Sequence, residues 1–384
     1  MYPSQERRVH VTFAVVEILY ELTNLENSIF VIMETNGIEL GFLEKTDDNG
    51  WLNNRYFPNK VGGKPAWLHL GDLPDQEKLI CQKCAKPKSF LLQLYVPFGD
   101  DYNFHRMLYV FVCRSETCHV PNNASVLTVL RSQLPLKNEF FASEPPIESG
   151  KPLPSILPKE HKLCLVCGCK SSIKCNCCDL GYYCCLLHRD LHSKVHMSTC
   201  SKTSTIDRLS IVEFDEWEIV KESINEDEED IKKANVLEEE KIDHELEKLS
   251  MSDKAGIFQN IPDSELEKYS ANSELIDDKF FCKFRKECNK EPEQIIRYKR
   301  NGTPLWIADV EKTVASHLKE IPKCEYCGGN RSFEFQIMPQ LLHYLNDDSM
   351  DWGVIAVYTC SKSCPLPSGV GYVEEFVIKQ NVTV

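Results

Sequence analysis

Three kinds of feature are missing from this 384-residue sequence. It has no run of about 18 apolar residues, which argues against a membrane-spanning helix. It contains no Gly-x-Ser-x-Gly or His-Glu-x-x-His motif and no paired carboxylates in an apolar context, so it offers none of these catalytic constellations. It also lacks an excess of basic residues, since its net charge is −14. Proteins that hold nucleic acid by its phosphates need a basic face, so direct nucleic-acid binding is not expected.

The negative charge is concentrated in one part of the chain. Residues 213–279 carry 23 acidic and 8 basic side chains, whereas the rest of the sequence is nearly neutral. So much like charge with so few aromatic residues is typical of a mobile tether, and we assign residues 201–279 to it. A tether of this kind is compatible with a basic protein partner, and a plain solvated linker is the alternative interpretation.

Cysteine is abundant, with nineteen residues, and most of them fall in close pairs. A two-residue gap lets one tight turn direct both sulfurs at one metal ion, and thiolate and imidazole suit Zn²⁺. Reduced, metal-binding cysteines are typical of proteins outside the secretory route. We therefore expect a zinc-binding protein of the cytoplasm and nucleus, acting as an adaptor rather than as an enzyme.

Composition divides the chain into six parts. Residues 1–32 have no counterpart elsewhere in the sequence, and Met33 directly precedes a strand-like stretch, so we expect Met33 to be the true start. Apolar runs rich in β-branched and aromatic residues predict buried strands at 90–96 and 107–113. After residues 1–32, the predicted parts are a β-rich block (33–143), a Pro/Ser-rich linker (144–160), a Cys/His-rich central module (161–200), the acidic tether (201–279) and a second β-rich block (280–384).

The two β-rich blocks share a pattern that indicates an internal duplication. In each block a Gly-x-Pro-x-Trp sequence, ending at Trp67 or Trp306, precedes a Cys-x2-Cys pair. Phe then falls six residues and Gln nine residues after the second cysteine, and an apolar strand leads to another cysteine pair. We predict a β-rich α+β fold of two duplicated halves packed on each other, with a small zinc-stabilised finger and an acidic, partly disordered tether inserted. Two unrelated zinc ribbons are the alternative.

The central module supplies eight candidate metal ligands. Eight ligands fill two tetrahedral Zn²⁺ sites and leave no position for a catalytic water, so both sites are predicted to be structural. A segment this short builds no hydrophobic core, so metal binding is expected to drive its folding, independently of the β-rich blocks. The ligands are Cys164, Cys167, Cys175, Cys178, Cys184, His188, His196 and Cys200. Cys169, Cys177, Cys185 and His192 are surplus, and a register shifted to Cys177 or Cys185 is the alternative.

Each β-rich block contains four further cysteines that can close one tetrahedral site across a hairpin. Because the pattern occurs twice, we predict a metal ion at each, and free cysteines buried as small apolar residues are the alternative. Cys282 and Cys288 are interpreted as structural or incidental. The first terminal quartet is Cys81, Cys84, Cys113 and Cys118, and the second terminal quartet is Cys324, Cys327, Cys360 and Cys364.

Two other features are interpreted as structural. The Gly62-Gly63-Lys64-Pro65 stretch is followed by no Lys-Ser/Thr and by no predicted helix, so it is predicted to be a turn and not a phosphate-binding loop. His105 adjoins an apolar strand and is predicted to be a strand-end histidine, not a catalytic base.

These residues resemble the programmed cell death protein 2 family over about residues 33–384, apart from most of the tether. The resemblance is carried by the central module and by six shorter segments. These segments are Ile-Glu-Leu-Gly-Phe (38–42), Phe-Pro-Asn-Lys-Val-Gly-Gly-Lys-Pro-Ala-Trp (57–67), Phe-Leu-Leu-Gln-Leu-Tyr (90–95), Phe-His-Arg (104–106), Gln-Ile-Ile-Arg-Tyr (294–298) and Gly-Thr-Pro-Leu-Trp (302–306). A retained central module is typical of this branch and not of its finger-less paralogue.

The central module itself resembles a MYND finger, including the Tyr182-Tyr183-Cys184 step and the closing His-x3-Cys. That resemblance implies that the ligand pairs interleave: Cys164, Cys167, Cys184 and His188 hold one zinc, and Cys175, Cys178, His196 and Cys200 hold the other. Position 188 is more often cysteine in such fingers, and histidine is an acceptable zinc ligand.

The resemblance also implies a function. It indicates a dedicated chaperone or adaptor for a newly made small-subunit ribosomal protein, the universal S-five protein, which supports small ribosomal subunit biogenesis and so cell proliferation and survival. MYND fingers bind proline-containing peptides, so a nuclear corepressor adaptor that regulates transcription and apoptosis is the alternative. A basic client is compatible with the acidic tether. We expect a monomer with no membrane partner.

Overall fold

The structure is a computed structural model. It describes residues 37–46, 48–98, 102–146, 150–176, 178, 181–200, 211–224 and 279–382. The expected extra segment at residues 1–32 lies outside the described residues, as do residues 201–210 and 225–278 of the predicted tether. In the parts that are described, no helix has the length and apolar character needed to cross a membrane.

The described chain is mainly β-structure with short helices, as the sequence predicts. The strands are β1 (Ile38–Glu44), β2 (Lys60–Val61), β3 (Ser89–Tyr95), β4 (His105–Val112), β5 (Leu127–Leu134), β6 (Ile173–Lys174), β7 (Tyr182–Tyr183), β8 (Trp217–Ile224), β9 (Ile296–Tyr298), β10 (Arg331–Ile337), β11 (Val354–Cys360) and β12 (Val373–Gln380). The helices are α1 (Leu186–Thr199), α2 (Lys279–Lys290), α3 (Val310–Thr313), α4 (Ala315–Lys319) and α5 (Gln340–Leu345). Short 3-10 turns occupy Asn49–Leu52, Asn54–Tyr56, Gln76–Leu79 and Glu116–Cys118.

Ten of the described strands form one closed barrel in the order β1-β8-β2-β3-β4-β5-β12-β11-β10-β9. Strands β1–β5 form copy one of the duplicated unit and β8–β12 form copy two. The copies meet where β5 pairs with β12 and where β1 pairs with β8. Their first strands are exchanged, because β8 pairs with β2 of copy one and β1 pairs with β9 of copy two. The two halves therefore build one sheet.

Strand β8 corrects the predicted extent of the acidic tether. Its residues, Trp217–Ile224, fall in the range assigned to the tether, yet all of β1 pairs with them in antiparallel register. Ile219 is buried in the barrel core, whereas Glu222 is exposed. Two of the acidic residues that suggested a tether, Glu218 and Glu222, lie on this strand, whose one buried apolar position a count of charges does not detect.

The barrel core and an outer layer are both apolar, which explains the uninterrupted apolar runs in the sequence. Along β4, Leu108 and Val110 contact the core shared by both copies, whereas Tyr109 and Phe111 belong to a separate cluster on the outside of copy one. Strand β11 repeats this arrangement in copy two, where its outward residues pack with α2. Strands buried on both faces lose the polar alternation of a half-exposed sheet.

Equivalent side chains confirm the duplication at the level of single hydrogen bonds. Gln93 Oε1 accepts from the Ala66 backbone N–H, and Gln336 Oε1 accepts from the Leu305 backbone N–H. Both accepting glutamines are fully buried, and both donors directly precede the motif tryptophan. The register also shifts at the motif phenylalanine in both copies. Two unrelated zinc ribbons would not share these bonds.

The central module packs on copy one, contrary to the expectation that it folds independently. The indole N–H of Trp67 donates to the Gly168 carbonyl at 2.8 Å, and Lys64 Nζ donates to the Leu165 carbonyl at 2.7 Å. Cys164 and Tyr183 of the module share one buried apolar cluster with Trp67. The motif tryptophan of copy one thus anchors the module, so loss of the module is expected to lower the stability of the barrel.

Candidate metal centres

Within the described residues, the structure brings together four groups of candidate ligands. In each group the four ligand atoms lie within 4.8 Å of one another. The groups are the two terminal quartets and two sets in the central module, and the latter interleave as the resemblance implies. They are Cys81, Cys84, Cys113 and Cys118; Cys164, Cys167, Cys184 and His188; Cys175, Cys178, His196 and Cys200; and Cys324, Cys327, Cys360 and Cys364.

The spacing of the sulfur atoms fits zinc ligands and not disulfides. The Sγ–Sγ distances are 3.6 Å for Cys84–Cys113, 3.6 Å for Cys167–Cys184 and 3.7 Å for Cys324–Cys364. A disulfide needs about 2.05 Å between sulfurs. Tetrahedral zinc with Zn–S bonds of about 2.3 Å places sulfurs about 3.8 Å apart. The side chains present are therefore compatible with Zn²⁺ in both terminal quartets and in the central module.

Three of the Cys-x2-Cys pairs lie on the same tight turn. In each turn the first cysteine accepts a hydrogen bond from the backbone N–H four residues on, and the donors are Ala85, Gly168 and Gly328. These three residues have positive φ angles of 57°, 70° and 66°. Gly168 suits that conformation and its packing, because a Cβ there would lie 2.8 Å from the Cβ of Lys64. The turn repeats in both β-rich blocks and in the central module.

The first set in the central module is fully buried and joins a turn to a helix. His188 lies in the first turn of α1, and its Nδ1 is 3.0 Å from Cys184 Sγ and 3.8 Å from Cys164 Sγ. Cys185 is the N-cap of α1, where its sulfur accepts from the His188 N–H. This geometry groups Cys184, and not Cys185, with the quartet, and the register shifted to Cys185 stays the alternative.

The second set is half-buried and closes the module at the far end of α1. His196 Nε2 lies 3.2 Å from Cys175 Sγ and 3.3 Å from Cys178 Sγ, and Cys200 Sγ lies 4.0 Å from Cys175 Sγ. Gly181 makes this approach possible, because a Cβ at that position would be 2.9 Å from His196 Nε2.

The surplus residues have other partners. His192 Nδ1 is 2.9 Å from the Tyr183 hydroxyl, and Cys169 donates to the Cys167 carbonyl at 3.8 Å. Cys288 and Cys282 both lie on α2, and Cys288 is buried among apolar residues. Cys177 lies outside the described residues, so the alternative register through it stays a prediction.

The two features interpreted as structural have structural contacts. Gly62 donates its N–H to the Leu91 carbonyl and packs against the segment before β8. His105 is 2% exposed, stacks on Phe57 and has its Nδ1 3.0 Å from the Tyr95 hydroxyl. Burial lowers the pKa of His105 to about 3, so its imidazole is neutral at physiological pH.

Sequence reasoning missed a group of buried charges beside the second terminal quartet. Its members lie on strands of both copies and in the turn after β9. A single charged residue inside an apolar strand was the available signal, as in Leu-Thr-Val-Leu-Arg-Ser-Gln-Leu of β5. The group consists of Arg106, Arg131, Arg300, Arg331, Glu334 and Glu375.

An open cavity of about 1290 Å³ lies between the central module and copy one. Trp67, Leu165, Glu213 and Trp217 line it, together with the linker at residues 152–158. The linker is held in place by side chains of copy one: the amide of Asn54 both donates to and accepts from the backbone of Ile156 at 2.9 Å.

The fold and its sites define a class: a duplicated β-barrel protein with an inserted Cys/His module and four clusters that can hold metal ions. The chain belongs to the programmed cell death protein 2 family. Residues 37–148 match the family model described as programmed cell death protein 2, N-terminal domain, and residues 278–381 match that of its C-terminal putative domain.

Individual relatives agree with this assignment. Programmed cell death protein 2 of Rattus norvegicus is 40% identical over 360 residues, which cover 90% of this chain and 97% of that protein. Programmed cell death protein 2-like of Mus musculus is 28% identical, covering 84% of this chain and 90% of that protein. A protein of Schizosaccharomyces pombe named probable 20S rRNA accumulation protein 4 is 36% identical over 124 residues, covering 29% of this chain and 31% of that protein. No solved structure matches the chain.

Proposed function

We propose that this protein is a zinc-stabilised adaptor without enzymatic activity, acting in the cytoplasm and nucleus. Its client is a newly made small-subunit ribosomal protein, the universal S-five protein, and it supports small ribosomal subunit biogenesis. The observation that carries the proposal is that each of the four clusters contains four side-chain donors. Zinc bound by four protein ligands has no open position for water, which favours architecture over catalysis.

The names of relatives support the ribosomal part of the proposal. One of them is named for 20S rRNA accumulation, and it matches this chain over 124 residues. A basic ribosomal protein would be attracted by the net charge of −14, most of which lies between β8 and α2. Long-range attraction of this kind raises the association rate and the specificity of binding more than it raises the affinity. Tight binding then needs a surface with apolar contacts.

The cavity beside the central module is the client surface in this proposal. Its volume of about 1290 Å³ exceeds the roughly 300–1,000 Å³ of small-molecule pockets and suits a peptide segment. The charges that line it are largely paired internally, since Lys60 bonds Glu216 at 2.6 Å and Lys64 lies 3.6 Å from Glu213. At its edge the linker exposes the side chains of Leu153 and Leu157, at 57% and 68%. These leucines can bury apolar surface against a client.

We therefore predict that a Leu153→Asp/Leu157→Asp variant binds the S-five protein about tenfold more weakly, as expected when apolar anchors are lost. Both side chains are exposed, so the fold should be unaffected. The measurement is copurification of the client with tagged full-length protein, quantified by mass spectrometry. Leu186→Asp is the matched control, because Leu186 is 56% exposed on α1 and does not line the cavity.

Two results would count against the proposal. Recovery of corepressors without any small-subunit ribosomal protein would favour the alternative adaptor function. Equal recovery of the S-five protein by the parent and by the double variant would remove the assignment of the cavity as the client surface.

A further inference from the structure

The buried charges beside the second terminal quartet do not balance among themselves. Four arginines and two glutamates meet there, and all are nearly inaccessible: Arg106, Arg131 and Glu334 have no exposed side-chain surface, and Arg300 has 14%. The group thus contains two more positive than negative charges. Buried charges are stable only when paired, so the surplus needs a counter-charge.

The surplus lies directly against the quartet. Arg131 donates from NH1 to the Cys364 carbonyl at 3.1 Å, and its NH2 is 4.0 Å from Cys364 Sγ. Arg300 donates from NH2 to the carbonyls of Cys360 at 3.2 Å and Ser361 at 2.7 Å. Each glutamate is shared by two arginines, Glu375 by Arg131 and Arg331 and Glu334 by Arg106 and Arg300, so four neutral thiols would leave two of the four positive charges uncompensated. Four thiolates around one divalent zinc have an excess of two negative charges, which equals the surplus.

We propose that the second terminal quartet is a zinc centre with four thiolate ligands, that Arg131 and Arg300 neutralise its charge, and that the metal there fastens the two copies together. The link between copies is direct. Arg131 is on β5 of copy one, whereas the quartet belongs to copy two. From copy one, Arg106 Nε also donates to Ser363 Oγ at 2.9 Å, and Ser363 Oγ donates to Gln133 Oε1 at 2.7 Å.

The first terminal quartet has a different environment. Its nearby lysines donate within copy one: Lys83 to the Cys118 carbonyl at 3.1 Å, and Lys88 to the Leu127 carbonyl and the Thr128 hydroxyl, both at 2.8 Å. The guanidinium contacts that cross from one copy to the ligand loop of the other are a property of the second terminal quartet.

The test compares zinc release from variants of the full-length chain. Arg131→Gln keeps all ligands, so it should bind as many zinc ions as the parent but release one of them to a chelator about tenfold faster, the usual effect of losing a residue that supports a metal ligand. Arg131→Lys keeps the positive charge and should recover most of the parent rate. Arg55→Gln is the control: Arg55 bonds the Pro154 carbonyl, far in sequence from every ligand, and should leave release unchanged.

Cys324→Ser gives the second measurement, because it removes a ligand and should lower the zinc count by one in native mass spectrometry. The proposal is overturned if Cys324→Ser binds as much zinc as the parent, or if elemental analysis finds iron at this quartet. If Arg131→Gln does not fold, Arg300→Gln replaces it, with faster release expected. Release at the parent rate from whichever of these variants folds overturns the role of the arginines.

Discussion

Replacing Glu334 by alanine is expected to destabilise the barrel by about 3–5 kcal/mol, the usual cost of removing one partner from a buried ion pair. Glu334 on β10 accepts two bonds from Arg106 on β4, at 2.5 and 2.8 Å, and neither side chain has exposed surface. Thr359 also donates to Glu334. Without the carboxylate, Arg106 would stay buried with no partner of opposite charge in direct contact. Denaturant-induced unfolding of the full-length chain measures the loss.

The acid dependence of stability provides a further readout of the same variant. Burial raises the pKa of Glu334, but the charge and hydrogen bonds of Arg106, together with Arg300 and Thr359, outweigh it and lower the pKa to about 2. Because this lies below the ordinary value of 4.5, the stabilisation is present above pH 4.5 and is lost as the pH falls towards 2. The Glu334→Ala chain should lack this part of the acid dependence.

Glu287→Ala is the matched control for this prediction. Glu287 pairs with Lys290 at 2.9 Å on the surface of α2, where the lysine is 63% exposed. Exposed pairs contribute about 0–1 kcal/mol, so its loss should be small. Equal effects of the two substitutions would contradict the account of the buried pair.

Cys164→Ser is expected to unfold the central module and also to weaken the barrel. The substitution removes one donor of the first set in the module, whose folding we expect to depend on metal. Copy one then loses the hydrogen bond from Trp67 to Gly168, which contributes about 1 kcal/mol. It also exposes apolar surface, at about 1.5–3 kcal/mol for each large side chain uncovered. Hydrogen exchange should become fast in the module, and exchange in the strands of copy one should be faster than in the parent but slower than in the module.

Cys185→Ser is the control for this substitution, because it changes the neighbouring thiol without removing a member of the quartet. Cys185 caps α1, and serine is a favoured residue at that position. Cys164 is a ligand in either register, so loss of metal from Cys185→Ser would show that the register shifted to Cys185 is correct. An unchanged barrel stability after Cys164→Ser would restore the expectation of an independent module.

The sequence predicted the features that depend on local spacing. The Cys-x2-Cys turns need only a few consecutive residues, so the two terminal quartets could be assembled from their pairs, whereas the interleaved sets of the central module came from the resemblance to a MYND finger. The duplication was also visible in the sequence, because Gln93 and Gln336 keep the same distance from the preceding cysteine. In the structure both glutamines accept the equivalent backbone hydrogen bond. Patterns within one short segment can be recognised without knowing how the rest of the chain folds.

Features that depend on distant pairing were not visible. Strand β8 pairs with β1 although more than 170 residues separate Glu44 from Trp217, and its acidic residues hid its one buried inward position. Predicting that the barrel closes would have required knowing that the first strands are exchanged between the copies. The buried charges of Arg131 and Glu334 were unremarkable in sequence, because only the folded sheet brings copy one against the ligand loop of copy two.

The zinc content of the folded, full-length chain tests the central claim most directly. Native mass spectrometry under non-denaturing conditions should find four zinc ions per chain, one for each quartet. A chain that is folded and binds fewer than two zinc ions would show that these cysteines and histidines do not form metal centres.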